Sequence, residues 1–390
     1  MNNYSPSYYA LIDSVLGKGG YQGFVDRFNE QYNTLDTAGF DWNPTMLTDF
    51  KYSQIEAVTN IAVLPDVVDK ESRGTMLKTD GFEVKEGVIP RFAKGARMNE
   101  KVIREQLIMM ERLNNRIDSE MKDAIFNIMY DSTEKLVSGF RNILTHQRDQ
   151  IVSTGVMEFK ENFFPNNALN GQVLEFGVNI LDENKTEKRW WKTDVHTPEN
   201  EGKNADPLQD LIKIRKEMER YNPNGYFEMS KTLFDDLLTH TKVLEVIGLI
   251  KNPNFGSDKA SAVAYANHIL PDEARSIVER RIGSRISIRD TKSGVLTLDV
   301  EARDLVSNTL DNFDVNNVAY LPMGKLGDIQ ASKPVFMGDP AAKVANFMDG
   351  RMQLLMTFNE RQRNQTIDAE LTALVVPSQA RKMAVKTVTA

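Results

Sequence analysis

"NGYFEMSKTLFDDLLTHTKVLEVIGLI", residues 224–250, is the stretch whose reading decides the fold. Asn224 and Gly225 stop whatever precedes them. "YFEM" is too short and too apolar for anything but a buried strand. Ser230 follows as an N-cap, its hydroxyl placed to accept from the first turn of a helix. The rest, through Ile250, reads as one helix. A strand running straight into a helix, with no regular repeat of the pair along the chain, predicts an α+β architecture.

Working upstream, "QVLEFGVNI" and "EKRWWKTD" read as two strands joined by a polar turn, within residues 172–194. A loop then leads into a helix entered through Asp206 and Pro207. Downstream, a helix is expected near 272–282, with strands near 285–290, 295–300 and 317–322. Two or three further strands are expected from Gly350 to the C-terminus.

Toward the N-terminus the pattern loosens. "YALIDSVLG" predicts a short amphipathic helix closed by Gly17. Gly19, Gly20 and Gly23 do not make a dinucleotide loop, because Gln22 stands where the third glycine belongs and no buried strand leads in. Residues 24–50 mix aromatic and polar residues without a stable period, as expected of an arm that packs on something else; Phe40, Trp42 and Phe50 are its candidate anchors. From Tyr52 to Arg97, short alternating runs broken by Pro65, Gly74, Gly81, Gly87 and Pro90 predict a long β-hairpin with little core of its own.

After Asn99, a plausible N-cap, apolar residues from Ile103 to Leu144 recur at steps of mostly three and four. The register runs to Gly155, about 80 Å if unbroken. Asn114–Asn115 or Ser138–Gly139 are the expected weak points, since these residues lower helix propensity, and Met121 to Thr154 reads as the better single helix. Met109, Met110, Met121 and Met129 read as adaptable core packing on this helix.

The segment "GVIPRFAKGARMNEKVIR" carries five basic residues and one acid between Arg91 and Arg104. Clustered cations suit a polyanion. The whole chain argues against a global role of that kind: 48 basic and 55 acidic residues leave a net charge of -7. With 390 residues and 41% hydrophobic content, a sizeable core is available. The absence of cysteine excludes disulfides, thiolate metal sites and a cysteine nucleophile, and fits a chain made in a reducing cytosol or one that must survive oxidation unaided. No signal-peptide pattern and no run of eighteen apolar residues occur, so a soluble chain is expected.

Catalytic templates are missing. The four histidines, His146, His196, His240 and His268, lie in different segments without metal-binding spacing. No Gly-x-Ser-x-Gly elbow, Walker loop or zincin helix occurs. Asp235 with Asp236, and Asp299 with Glu301, read as solvated charge. No catalytic, cofactor or metal residue is assigned. Trp190 and Trp191 should point to opposite faces of a strand, one into the core and the other toward a neighbouring chain or an arm.

An arm, a projecting hairpin, a long helix and a compact α+β body suggest a chain whose extensions are buried by neighbouring copies. Here the sequence resembles the major capsid proteins of tailed bacteriophages, the Hong Kong 97 fold, and within it the lambda-type group. The resemblance covers nearly the whole chain in element order. It is carried by "EFGVN", "RWWKT", "ADPLQDLIKIRKEM", "NGYFEMSKTLFDDLL" and "TKVLEVI", with "AYLPMGKLGDI" and "ALVVPSQARKMAVKTV" after them.

The resemblance implies an N-terminal arm over 1–50, an extended loop over 51–98, and a helical segment over 99–155 that includes a spine helix. A peripheral domain would be built from 156–220 and 335–390, and an axial domain from 221–334. It implies self-assembly of pentamers and hexamers into an icosahedral shell around double-stranded DNA, built in the host bacterial cytoplasm and ending in the virion. A portal, a separate scaffolding protein and a decoration protein are the implied partners, with no membrane and no cofactor. Arg91, Lys94 and Arg97 would then meet acidic surfaces of adjacent subunits. Lys70, Lys78 and Lys85 are available for the cross-links some members form. The rivals are an encapsulin-like cargo shell and a cytosolic enzyme with an unfamiliar site.

Overall fold

The computed structural model describes residues 36–57, 82–98, 119–160, 169, 171–181, 189–193, 196–202, 205–299, 304–334, 344–359 and 364–389. The helix expected at 9–17, the glycines after it, Lys70, Lys78, Asn114 and Asn115 lie outside them.

In chain order the strands before the long helix are β1 (Phe40–Trp42), β2 (Lys51–Ala57), β3 (Phe82–Val88) and β4 (Arg91–Met98). Helix α1 (Ser119–Thr154) follows, then β5 (Val156–Glu158), β6 (Val173–Glu175) and β7 (Asn179–Ile180). Next come α2 (Pro207–Met218), β8 (Tyr226–Ser230), α3 (Lys231–Thr239), α4 (Thr241–Lys251), α5 (Lys259–Ala266) and α6 (Pro271–Ile282). The remaining strands are β9 (Ile286–Arg289), β10 (Lys292–Asp299), β11 (Asp304–Asp311), β12 (Asn317–Leu321) and β13 (Gly327–Ala331). The chain closes with β14 (Val344–Phe347), β15 (Met352–Asn359), β16 (Asn364–Pro377) and β17 (Ala384–Thr387). The mixture of helix and sheet is the expected class.

Two larger sheets organise the chain. One has the order β1-β13-β16-β15-β14, with β4 also paired to β16; the other has the order β7-β17-β12-β8-β9. Each fronts its own core. The first gathers Phe140, Leu144, Ile151, Leu371 and Val375, among others, between α1 and its sheet. The second gathers Leu211, Phe227, Met229, Leu233 and Val278 between its sheet and helices α2 to α6.

Helix α1 runs unbroken for 36 residues, about 54 Å. The single helix expected over Met121–Thr154 is there, and Ser138–Gly139, one of the two candidate weak points, does not interrupt it. A mid-helix glycine costs about 1 kcal/mol. Burial of Val137, Phe140 and Leu144 on either side of it returns roughly 1.5–3 kcal/mol each, so packing decides. The end at Gly155 is where the sequence places it, in a left-handed conformation at φ 80°. Near that end Gln147 serves β16 as a neighbouring strand would: its amide donates to Ala373 O at 3.4 Å and accepts from Val375 N at 2.9 Å.

Three local expectations are corrected. The helix from Ser230 to Ile250 is two helices, α3 and α4, hinged at His240, whose backbone is extended and whose Nδ1 accepts from Lys242 N at 3.2 Å. The strand at 172–180 is divided because different partners take its ends, β5 pairing with β6 and β17 with β7. Around the tryptophans there is no regular strand among the described residues; Trp191 makes isolated bridges to Glu201 and Thr389. Helix α5, absent from the sequence reading, packs so closely on α4 that a side chain at Gly248 would strike the Ala262 carbonyl.

The anchoring of the arm is mixed. Phe40 is buried, and Trp42 packs against the first core beneath the Arg351 guanidinium, 4.9 Å from the ring centroid. Phe50 is 47% exposed.

Candidate functional site

The two cores meet at a cluster of buried charge. Strand alternation creates half of it: Phe227 and Met229 face the second core, so Glu228 between them faces the other way, toward α1. There Arg148 meets it with both guanidinium nitrogens, one bond to Oε1 and a second to Oε2 at 2.9 Å. The side chains of Arg148 and Asp149 are wholly buried, and that of Glu228 almost so. Arg148 also bonds Asp149 Oδ1 at 2.8 Å.

Asp149 in turn receives Arg289 at 3.2 Å and the hydroxyl of Thr291. Burial alone would lower the Arg148 pKa; the charge and hydrogen bonds of Glu228, then those of Asp149, outweigh it and carry the pKa upward. The guanidinium is a fixed cation at any ordinary pH.

This cluster also holds the arm. Arg289 donates to Asp36 Oδ1 at 2.9 Å and to its carbonyl at 3.1 Å, and Arg148 Nε donates to Ala38 O at 3.3 Å. From that point β1 pairs in parallel with β13. Three parts of the chain far apart in sequence, the arm, the long helix and the second sheet, are thus joined through two arginines. Nothing in the sequence pattern marks Arg148, which sits in a helix rich in charge.

His146 lies one turn-width away on the same helix, 3% exposed. Burial pushes its imidazole down to about 4, against a hydrogen bond with Asn312 and the charge of Asp149, which raise it, while Lys160 lowers it further. An unfolded histidine titrates near ~6.5. The stability that depends on neutral His146 is therefore complete above about pH 6.5 and falls as pH drops toward about 4, by roughly 3 kcal/mol in all. Denaturant unfolding at stepped pH should show this slope in the native chain and a flatter one in His146→Gln. An unchanged slope would mean the folded imidazole already carries its proton.

The sequence-chosen residues fare differently. Arg91, Lys94 and Arg97 all lie on β4, which pairs with β16 alone. Alternation puts Arg91 and Lys94 on opposite faces of the strand. Arg91 reaches Glu370 of its own chain at 2.5 Å, with 62% of its side chain exposed, a pair contributing about 0–1 kcal/mol. Lys94 is exposed.

The expectation that one of Trp190 and Trp191 would be left for a neighbour is corrected: both are buried in the second core. Trp190 Nε1 donates to Asp210 Oδ2 at 3.1 Å. Trp191 stacks on His196 at 4.3 Å and meets His240 edge-on at 5.7 Å. Because the segment carrying them is not a regular strand, both rings can turn the same way. The contact of His196 Nδ1 with Asp236 at 2.6 Å resembles a catalytic pair, but the ring lies flat on Trp191 and Nε2 is buried without a hydrogen-bond partner among the described residues. The pair closes the tryptophan pocket.

Among the described residues no group of three His, Asp or Glu side chains has the geometry to hold a metal ion. None of their helices is long and apolar enough to cross a membrane.

No family model matches this sequence, and no curated protein does. Solved structures do. A putative capsid protein of an E. coli prophage aligns over 94% of this chain and 97% of its own, at 8% identity and a TM-score of 0.48. A phage-related protein from Bordetella bronchiseptica aligns over 94% and 96%, at 11% identity and 0.44. A virus-like particle from Pyrococcus furiosus aligns over 97% and 99%, at 10% identity and 0.36. Several of the structural neighbours are phage capsid proteins. At these identities and scores the likeness carries no function across to this chain.

Proposed function

We propose that this chain is a major capsid protein with the Hong Kong 97 fold, a subunit that self-assembles into an icosahedral shell around double-stranded DNA. The observation that carries the reading is the β2–β3 hairpin. Among the described residues it pairs only with itself and joins neither large sheet. Its base is tied to the body by Tyr52 and Ile89, both buried, while Val88 and Phe50 beside them are exposed at 60% and 47%. A chain that extends such an element beyond its own cores needs neighbours to cover it. The ordered sequence motifs from "EFGVN" to "ALVVPSQARKMAVKTV" support the same reading.

In this reading the arm is 1–50, the extended loop 51–98, and α1 the spine helix within 99–155. The peripheral domain is 156–220 with 335–390, and the axial domain 221–334. Trp190 to Met218 pack in the same core as 227–286, which ties the first peripheral part to the axial one. Basic residues on β4 contact adjacent subunits, and a portal, a separate scaffold and a decoration protein complete the virion. Expressed alone and with a candidate scaffold, the protein should give closed shells or capsomers by negative-stain microscopy and light scattering. A stable monomer under both conditions would overturn the proposal, and shells that enclose protein cargo instead of DNA would favour the compartment reading.

A further inference from the structure

The second sheet brings the starts of β8, β9 and β17 and the end of β12 to one edge. Helices α2 and α6 finish at that same edge. Arg215 donates to Gly283 O at 3.0 Å, Ser284 Oγ to Gly225 O at 2.9 Å, and Asn222 Nδ2 to Lys382 O at 3.2 Å. Lys216, Arg220, Arg280, Arg281 and Arg285 stand there exposed. Among the described residues, none of the five makes an ion pair.

The acids nearby do not neutralise them. Glu279 already receives Arg275 at 3.1 Å and Ile286 N at 2.9 Å, and Asp328 is taken by Lys325 at 2.5 Å. Glu217 and Glu219 are exposed in the same turn and are outnumbered. Cations at helix C-termini have an ordinary explanation in the macrodipole. Two helix ends supply about one negative charge between them, enough for roughly one cation of the five. The excess stands out in a chain of net charge -7.

We infer that this edge binds the phosphate backbone of double-stranded DNA. Guanidinium groups match phosphate oxygens through paired N–H donors, and four of the five cations are arginines. A protein partner would need an apolar centre, and the exposed apolar side chains here are Tyr221 and Met323. Tyr221, 52% exposed, adds a hydroxyl that can donate to phosphate. The inference deepens the shell reading and rests on it for the identity of the polyanion; the charge of the edge does not depend on it.

The test uses the full-length chain dispersed into subunits, with fluorescence anisotropy of a mixed-sequence DNA duplex across a salt series. The native chain should bind at low salt, its log affinity falling with log salt at a slope of about -3 to -4. R280E/R281E should weaken binding by on the order of 100-fold and reduce the slope by about 2, with its unfolding midpoint unchanged. Lys213→Gln, on α2 three residues before Lys216 but paired with Asp210, should bind as the native chain does. Equal DNA affinity in the native chain and R280E/R281E would overturn the inference. If that variant instead loses only assembly, the edge is a contact between copies. Native shells with unaltered DNA binding in the variant would sink this inference alone. Native subunits that never assemble, yet lose DNA binding on charge reversal, would sink the shell reading and leave the edge standing.

Discussion

Arg148→Met should destabilise this protein by about 3–5 kcal/mol, the cost of leaving buried carboxylates without their cation. The guanidinium is the one described partner that neutralises Glu228, and it also bonds Asp149 and the Ala38 carbonyl. Removing it strands Glu228 between two cores, whereas Asp149 keeps Arg289 and Thr291. The double variant Arg148→Met with Glu228→Leu should recover much of the loss, because two apolar side chains of similar volume leave no orphaned charge. A double-mutant cycle by urea unfolding reads the coupling directly. A loss under about 1 kcal/mol in the single variant would show that water reaches the cluster and that the arm, the helix and the second sheet are not joined there. Loss of this joint should also release residues 36–38, measured as faster amide exchange at the start of the arm.

The second large effect is expected from shortening the hairpin. Ala57 and Phe82 are paired opposite each other, so residues 58–81 can be replaced by an Asn-Gly turn without shifting the register. Both cores keep all their described residues, and the unfolding midpoint should stay where it was. Shell formation should be abolished, read as the loss of fast-sedimenting particles. A wider cut, through residue 90, would remove Ile89, 2% exposed in the first core, and confuse folding with assembly. Shells from the shortened chain would remove the hairpin from the assembly mechanism, and an unfolded body would mean that residues 58–81 belong to a core.

The sequence was most legible where one rule acts over a few residues. Asp206 and Pro207 begin α2, and Ser230 caps α3 by accepting from Leu233 N at 3.1 Å. Gly155 ends α1 in a conformation that a side chain resists. Each signal is local, and neighbours in sequence supply its physics. The alternation that buries Phe227 and Met229 was equally visible, and it is what turns Glu228 toward the other core.

The misreadings share a cause. Ser138–Gly139 could be named only as one of two candidate weak points because propensity is local, while the packing that carries the helix through it comes from β16, more than two hundred residues away. His240 was passed over as a helical residue, yet it hinges α3 and α4 because its ring is held edge-on to Trp191. Arg91 and Lys94 looked like parts of one basic patch until strand alternation set them on opposite faces.

By itself the sequence determined the mixed helix-and-sheet class, the starts of α2 and α3, the end of α1 and the pairing of β2 with β3. Those are consequences of period and turn chemistry. Only the tertiary structure decided that Arg148, Asp149, Glu228, Arg289 and Asp36 form one cluster, that both tryptophans are buried, and that the ends of α2 and α6 make a basic edge. Charge and burial are properties of what folding brings together, and the partners here are separated by up to 253 positions, as in the Arg289–Asp36 pair.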